Sequence, residues 1–583
     1  MVLEPVKLLS HLALHFRYRM IEAPSVGAPT VQGVNGSKAI RPEADIIPTF
    51  EVSTPASRRS GLSSIASAIS KPSVFGNDRV CAVVAARSAA DAIRQAKAAI
   101  SASGRAHIVE LRLDFLANHA EITCLLAWAA RQPKIPTLIA TCRRHQAGGL
   151  FRNSAADEIA VLERAVAAGC RWCDVEVETA RRVGARQLKG ALAPARLLIS
   201  THDFRRLPRN LPAIMRRLGR YGGEAIKIAA ACRSLADVRR LLELARQRPD
   251  VVVVPMGEEM LAARILALRH GSALAYAPVA QSTAPGQIPF DEIERVYRLR
   301  RRFGRSRAGI GLQTSLYGVI GDPVGHSLSP LMHNAAFAAR GKNAMYLPFR
   351  VRELPDFIAA VQPFQIAGFS VTLPHKERIL RYLDHCDPLA AEIGAVNTVI
   401  VHAGKLSGYN TDFTGVLRAI ERRLPLSSSS VLLIGAGGAA RAAAFALARG
   451  GAAVSIWARR PKPARALADA VGGQAIHRRE IARRSFDAVV NCTPVGMHPG
   501  RGSPLESHEL NCRLVMDLIY RPLKTELLRR AERRGIETIS GVDMFVAQGV
   551  AQWELWTGER APETAMRRVV LAALQKEEKS LRR

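Results

Sequence analysis

The chain has 583 residues, 48% hydrophobic and 23% charged, the balance of a globular protein large enough for three or four domains, which excludes global disorder. No uninterrupted apolar run approaches the ~18 residues that span a bilayer, and nine scattered cysteines with one close pair, Cys170 and Cys173, suit neither a disulfide framework nor a zinc site. The formal charge of +33 comes from 83 Lys plus Arg against 50 Asp plus Glu, yet the arginines are spread along the whole chain and only 5% of residues are aromatic. That pattern reads as a solvated basic surface that attracts small anionic substrates, with no nucleic-acid or membrane partner. Reduced thiols and the lack of a convincing export signal place the chain in the cytoplasm.

Residues 1–77 are rich in Ser, Pro, Ala and Gly without sustained periodicity and read as a disordered extension. From Val80 short β-branched runs alternate with longer amphipathic stretches: Cys81–Ala85, His107–Phe115, Thr137–Arg143, Cys173–Val177, Leu197–Phe204, Ala225–Ala230, Val251–Gly257 and Leu274–Val279. Eight such units over 78–303 predict an α/β architecture, a (β/α)8 TIM barrel, although a doubly wound sheet could use the same units. A basic linker over 304–313 leads to a second pattern. It predicts an α/β substrate domain over 314–427, with strands at Tyr317–Ile320 and Gly368–Thr372 and helices after Ser329 and near Asp412–Arg423. A βαβ unit opens at Ser430, predicting a Rossmann domain over 428–540, and helices over 541–583 are expected to return to the substrate domain.

In a barrel, chemistry sits at the C-terminal strand ends. Lys227 stands inside the apolar run Ala225–Ala230, where desolvation favours a neutral, nucleophilic amine unless a carboxylate pairs with it. His202 ends the fifth strand and suits acid–base work. Alternation puts Glu110, Arg112 and Asp114 on one inward face, where charges must pair. Arg143, and Arg264 after the seventh strand, suit bidentate binding of a carboxylate.

The strings ELRLD, TCR, STHDF, IKIA and STAPGQ, in this order and placement, resemble type I 3-dehydroquinate dehydratase. The resemblance implies that Lys227 forms a Schiff base with the substrate ketone and that His202 moves the protons. It implies that Arg264 holds the carboxylate, that Glu110, Arg112, Arg143, Thr283 and Gln287 shape the pocket, and that no metal or cofactor is used. One position departs: the family pattern T-x-R-x-x-x-E-G-G has a glutamate that orients the histidine, and Thr141–Gly149 here has Ala147 in its place. Asp203 or Glu176 could substitute, and a slower rather than a dead dehydratase is expected.

In the second half, the strand Val431–Ile434 runs into Gly435, Gly437, Gly438, Ala439 and an alanine-rich helix. This is a dinucleotide-binding signature. The next strand ends in Ala458-Arg459-Arg460; a basic residue where an NAD site places a carboxylate suits the 2′-phosphate of NADP(H). Lys376 and Asp412 form an acid–base pair for carbonyl reduction. The strings GHSLSP, SVTLPHK, GAVNT, GYNTD, NCTPVGM and MFVAQ resemble shikimate dehydrogenase. That resemblance implies carboxylate binding by Ser327 and Ser329, hydroxyl binding by Thr372, Asn397, Asp412 and Gln548, and a cofactor site lined by the three glycines, Arg459 and Met544. Ser370, where asparagine is common, and Ala458, where the family has N-R-T, are departures.

The expected product of the first half is the substrate of the second, so a bifunctional enzyme leads. The alternatives are a catabolic quinate dehydrogenase using NAD and a weakened, ligand-sensing regulator. Oligomeric state is not given by the sequence.

Overall fold

The computed structural model describes residues 73–581 except 77, 102–105, 132–135, 258–260, 281–285, 300–309, 499 and 501. Residues 1–72 and 77 of the segment read as a disordered extension, most of the 304–313 linker and the position of Thr283 lie outside the described residues; residues 73–76 are described, and Ser73 Oγ donates to Ala273 O at 3.3 Å.

Among the described residues, eight parallel strands close almost completely on themselves. They are β1 Val80–Val84, β2 Ile108–Arg112, β3 Thr137–Thr141, β4 Trp172–Glu176, β5 Arg196–Asp203, β6 Ala225–Ala231, β7 Val251–Met256 and β8 Ala275–Pro278. Their order is β7-β6-β5-β4-β3-β2-β1-β8, and at the seam Ala273 N–H donates to Val251 O at 2.9 Å. The expected strands therefore form a barrel, not an open doubly wound sheet, because β8 pairs back onto β1. Period-two alternation sorts each strand. Val83, Ile108, Ile139, Trp172, Leu198, Val252 and Tyr276 pack together, and Phe75 lies against Trp172 with ring centroids 4.2 Å apart. Outward residues such as Val109, Leu111, Ile199 and Ile226 pack under the helices. Those helices begin where the sequence offers caps: Ser88, Asn118, Ser154, Asn210 and Ser234 each accept a backbone N–H of the first turn.

The second sheet contains β9 Ser315–Gly321, β10 Ala344–Arg350, β11 Ile366–Val371, β12 His385–Cys386, β13 Thr398–His402 and β14 Lys405–Tyr409, in the order β10-β9-β11-β13-β14-β12. It is mixed, since β13 runs antiparallel to both β11 and β14. The third contains β15 Ser430–Ile434, β16 Ala453–Trp457, β17 Gln474–Ala475, β18 Phe486–Asn491, β19 Cys512–Asp517 and β20 Glu537–Ile539. Its order, β17-β16-β15-β18-β19-β20, is the doubly wound arrangement whose ligand crevice opens where the order reverses, beside β15. The helix Gly541–Thr557 then packs against the helix Thr411–Glu421, and its Trp553 and Gln552 are buried against Phe337 and against His333, Ser370 and Thr398 respectively. No helix among the described residues is long and apolar enough to cross a membrane.

One hydrophobic cluster continues from the barrel's helices into the second sheet, including Leu266 and Leu268 on one side and Leu347 and Phe364 on the other. Arg269 stitches this junction. It is 2% exposed, and its guanidinium donates to the carbonyls of Thr314 (3.0 Å), Phe364 (3.1 Å) and Leu312 (3.2 Å). Burial lowers its pKa to about 10, which leaves it charged at neutral pH. An Arg269→Ala chain leaves these acceptors without their donor, at ~1 kcal/mol or more each. The first urea transition of the full chain is expected at lower denaturant, by about 3 kcal/mol in all.

Candidate active sites

The C-terminal half of the barrel interior is lined with charge, and among the described residues its central carboxylates and cations are paired with one another. On β4, WCDVE alternates so that Asp174 and Glu176 both point inward. Asp174 is the hub: its carboxylate takes Lys227 Nζ at 2.7 Å, Arg143 Nη2 at 3.0 Å and Ser200 Oγ at 2.6 Å. Burial alone would raise this carboxyl, but Lys227 and Arg143 hold it well below the usual carboxylate range. Glu110 lies 3.9 Å from Lys227 Nζ and accepts Thr141 Oγ1 at 2.8 Å. The Tyr276 ring covers the ammonium at 3.9 Å. Of the two readings that its apolar run left open, Lys227 takes the paired one, with carboxylates that arrive from β2 and β4.

His202 shares this lining. Its Nδ1 lies 2.8 Å from Glu176 Oε2, and its backbone N–H donates to Glu176 Oε1 at 3.1 Å. Burial, reinforced by Arg143, keeps the imidazole pKa below its ordinary value against the opposing pull of Glu176. Neutral imidazole is the form that can accept a proton. Arg112 is locked to Asp114 by two 2.9 Å hydrogen bonds. Arg264 is buried on the helix Leu261–Arg269, where desolvation lowers its pKa to about 10. Gln287 follows β8. A cavity of about 360 Å³ adjoins His202, lined among others by Ala147, Arg144, Thr201 and Arg217.

The second constellation sits between the second and third sheets. Lys376 Nζ meets Asp412 Oδ2 at 2.5 Å, and Asn397 Nδ2 donates to Asp412 Oδ1 at 2.8 Å. Asn397 is fixed in turn by Thr398 Oγ1 (2.8 Å) and the Thr411 N–H (2.7 Å), both donating to its Oδ1. Ser327 Oγ accepts the Ser329 N–H at 3.2 Å at the start of the helix Ser329–Ala339. Thr372 follows β11 directly, and Gln548 and Met544 lie buried on the helix Gly541–Thr557. Ser370, at the asparagine position, joins a buried network: Tyr346 Oη donates to its Oγ at 2.6 Å, and that hydroxyl donates to Gln552 Oε1 at 2.9 Å.

The glycine turn fits a dinucleotide. Gly435 has φ +118°, a backbone state that a side chain would strain. A Cβ on Gly437 would meet nothing within 4 Å, so the N-terminus of the helix Gly438–Arg449 faces open space. Ala439 lies in the first turn of that helix. A Cβ on Gly438 would come 3.9 Å from Lys376 Cδ, which puts the turn beside the acid–base pair. Arg459 is exposed just past β16.

The sequence reading did not single out Asp174 or Tyr276. Two acidic residues two apart in an otherwise apolar strand would have flagged Asp174 together with Glu176; Tyr276 carries no such signal, because an aromatic in a barrel strand is ordinary core.

Comparison with known proteins decides what these sites belong to. The type I 3-dehydroquinase family matches residues 80–303, the shikimate dehydrogenase substrate binding domain 319–399, and the shikimate 5′-dehydrogenase C-terminal domain 541–571. The bifunctional 3-dehydroquinate dehydratase/shikimate dehydrogenase, chloroplastic, of Arabidopsis thaliana is 36% identical over 486 residues, 79% of each chain. The chain belongs to this bifunctional family. The NADP(+) shikimate dehydrogenase of Thermococcus kodakarensis is 42% identical over 268 residues, 45% of this chain and 98% of its own. That of Symbiobacterium thermophilum is 43% identical over 279 residues, 45% and 95% respectively. The barrel is therefore a lyase module, the rest is an oxidoreductase module, and the nucleotide is NADP(H).

Beside the barrel site, Glu158 is 1% exposed, accepts Thr179 Oγ1 at 2.6 Å and lies 3.4 Å from Arg144 Nε. Burial pushes its carboxyl from 4.5 up to about 7, with Thr179 and Arg144 pulling back. The folded chain therefore binds this proton more tightly than the unfolded one, and stability falls as pH rises from about 4.5 to about 7. Glu158→Gln is expected to flatten that part of the stability–pH curve, so the variant gains on the parent at pH 8 and not at pH 4, as read by urea midpoints.

Proposed function

We propose that the two halves perform consecutive steps on one carbon skeleton, dehydrating 3-dehydroquinate to 3-dehydroshikimate and then reducing that ketone to shikimate. The division of labour follows the chain: 78–303 dehydrates, 314–427 with 541–583 holds the ring, and 428–540 holds the nucleotide. The observation that carries the reading is that Lys227 with His202, and Lys376 with Asp412, each sit among hydrogen-bonded polar partners: Asp174 and Glu176 in the barrel, Asn397 beside the second pair.

In the barrel, Lys227 gives up a proton and its amine adds to the substrate ketone; loss of water leaves a protonated imine that draws electrons from the neighbouring C–H. His202 takes that proton and returns it to the departing hydroxyl, which leaves as water and creates the double bond; water then hydrolyses the imine, restoring the ketone of the product and the amine of Lys227. Arg264 pairs with the substrate carboxylate, while Glu110, Arg112, Arg143, Thr283 and Gln287 meet the ring and its hydroxyls. Asp174 keeps Lys227 and Arg143 apart and aligned.

In the second site Ser327 and Ser329 take the carboxylate, and Thr372, Asn397, Asp412 and Gln548 take ring hydroxyls. Gly435, Gly437, Gly438, Ala439, Arg459 and Met544 would hold NADPH, which supplies the hydride. Lys376, held by Asp412, keeps a proton where the carbonyl oxygen gains charge. The paired serines and Arg459 favour shikimate with NADP(H) over quinate with NAD, and four intact acid–base residues favour an enzyme over a ligand sensor. Nine free thiols suit a reducing, cytoplasmic setting.

The test is NADPH consumption by the full chain, started with 3-dehydroquinate and separately with 3-dehydroshikimate. Lys227→Ala is expected to abolish the first and spare the second. Lys376→Ala is expected to cut both by at least 100-fold while the enone absorbance from 3-dehydroquinate still grows. Arg459→Ser removes one charge-assisted contact, on the order of 1.5–3 kcal/mol, so the NADPH KM is expected to rise ~10-fold or more with the NADH KM unmoved. Oxidation with quinate and NAD alone would overturn the assignment.

A further inference from the structure

His202 is held at two points by one side chain. Glu176 Oε2 faces its Nδ1 at 2.8 Å, and Glu176 Oε1 accepts its backbone N–H at 3.1 Å. Glu176 ends β4 and is 6% exposed; Ser200 Oγ lies 3.1 Å from the same Oε2, and Arg143 Nε 3.9 Å. Asp203, the other carboxylate within reach by sequence, is spent on its own loop, accepting the N–H groups of Arg205 and Arg206. Ala147 lines the same cavity as His202, and its side chain has no polar atom. The charged groups acting on the imidazole are Glu176, Arg143, Lys227 and Asp174. Of these, Glu176 is the one at hydrogen-bond distance from the ring.

We propose that Glu176, reaching in from β4, is the positioning residue of the barrel's acid–base histidine, a role that position 147 cannot fill in this chain. The proposal rests on the dehydratase reading given above. A carboxylate at Nδ1 fixes the proton on that nitrogen and leaves the Nε2 lone pair for the substrate. When Nε2 takes the proton from carbon, the imidazolium forms against a negative partner already in place; when Nε2 gives that proton to the leaving hydroxyl, the imidazole returns to neutral. Glu176 stays ionised throughout and touches no reacting atom. The second hydrogen bond, to the backbone of His202, makes the ring's position and its tautomer depend on the same side chain.

The experiment uses the full chain, whose shikimate dehydrogenase rate reports on the fold of the second half. Trapping of the substrate imine by borohydride reports on the fold of the barrel. Glu176→Gln keeps a hydrogen-bond acceptor and loses the charge. Its dehydration kcat is expected to fall at least 100-fold with KM within threefold. The acidic limb of kcat against pH is expected to move downward, because the imidazolium has lost its counter-charge. Imine trapping and the dehydrogenase rate are expected at parent levels. Adding Ala147→Glu to Glu176→Gln returns a carboxylate to the shared cavity and is expected to recover at least tenfold. A Glu176→Gln chain with kcat within threefold of the parent, or with the loss carried by KM and the pH limb unmoved, would overturn the proposal. So would a Glu176→Gln chain that no longer traps the imine and gains nothing from Ala147→Glu, since Glu176 would then serve the barrel's fold. A parent chain that dehydrates nothing would instead sink the functional reading.

Discussion

Lys227 sits in an apolar strand at the centre of a barrel, and an ammonium in such a place must be matched by negative charge. Asp174 matches it at 2.7 Å and in the same stroke takes Arg143 and Ser200. Breaking a buried pair by removing one partner leaves an uncompensated charge and costs ~3–5 kcal/mol. The interior therefore holds its charges as a set: β2 contributes Glu110, β4 Asp174 and Glu176, β5 Ser200 and His202, β6 Lys227. The barrel has to close for these strands to face one another, and closure is what makes the lysine tolerable and the histidine reachable.

The second half answers the same problem with a different geometry. Lys376 comes from the loop after β11 and Asp412 from the first turn of the helix Thr411–Glu421, and Asn397 holds the carboxylate's other oxygen. The lysine here is half-buried and borders the glycine turn, so its ammonium can work at the face where a nucleotide lies. The barrel lysine is enclosed, which suits the amine role proposed for it on carbon; this one is presented, which suits the proposed role of an acid on oxygen. Burial and the direction of the partner carboxylate separate the two roles.

A shared hydrophobic cluster and the Arg269 junction tie the barrel to the substrate sheet. The carbonyls that Arg269 satisfies lie at the end of the linker and after a helix of the second sheet, so a side chain of the barrel completes backbone hydrogen bonding beyond it. The basic surface suits both modules, because their substrates and nucleotide are anionic and a positive field raises their local concentration.

Much of this was legible in the chain alone. The strand rhythm, the glycine turn, the basic end of β16 and the lysines and histidine were readable because each is a local pattern: period two, φ freedom, or charge at a strand end. The companions of those residues were not. That Lys227 is paired, that Glu176 rather than Asp203 holds His202, and that Ser370 feeds a Tyr346–Gln552 network depend on strands and helices separated by 24 to 182 positions. Sequence determined which residues could do chemistry, since residue type and local period set that. Tertiary structure alone decided which carboxylate faces which cation, because closure of the barrel and the return of the C-terminal helices bring together groups that no local spacing relates.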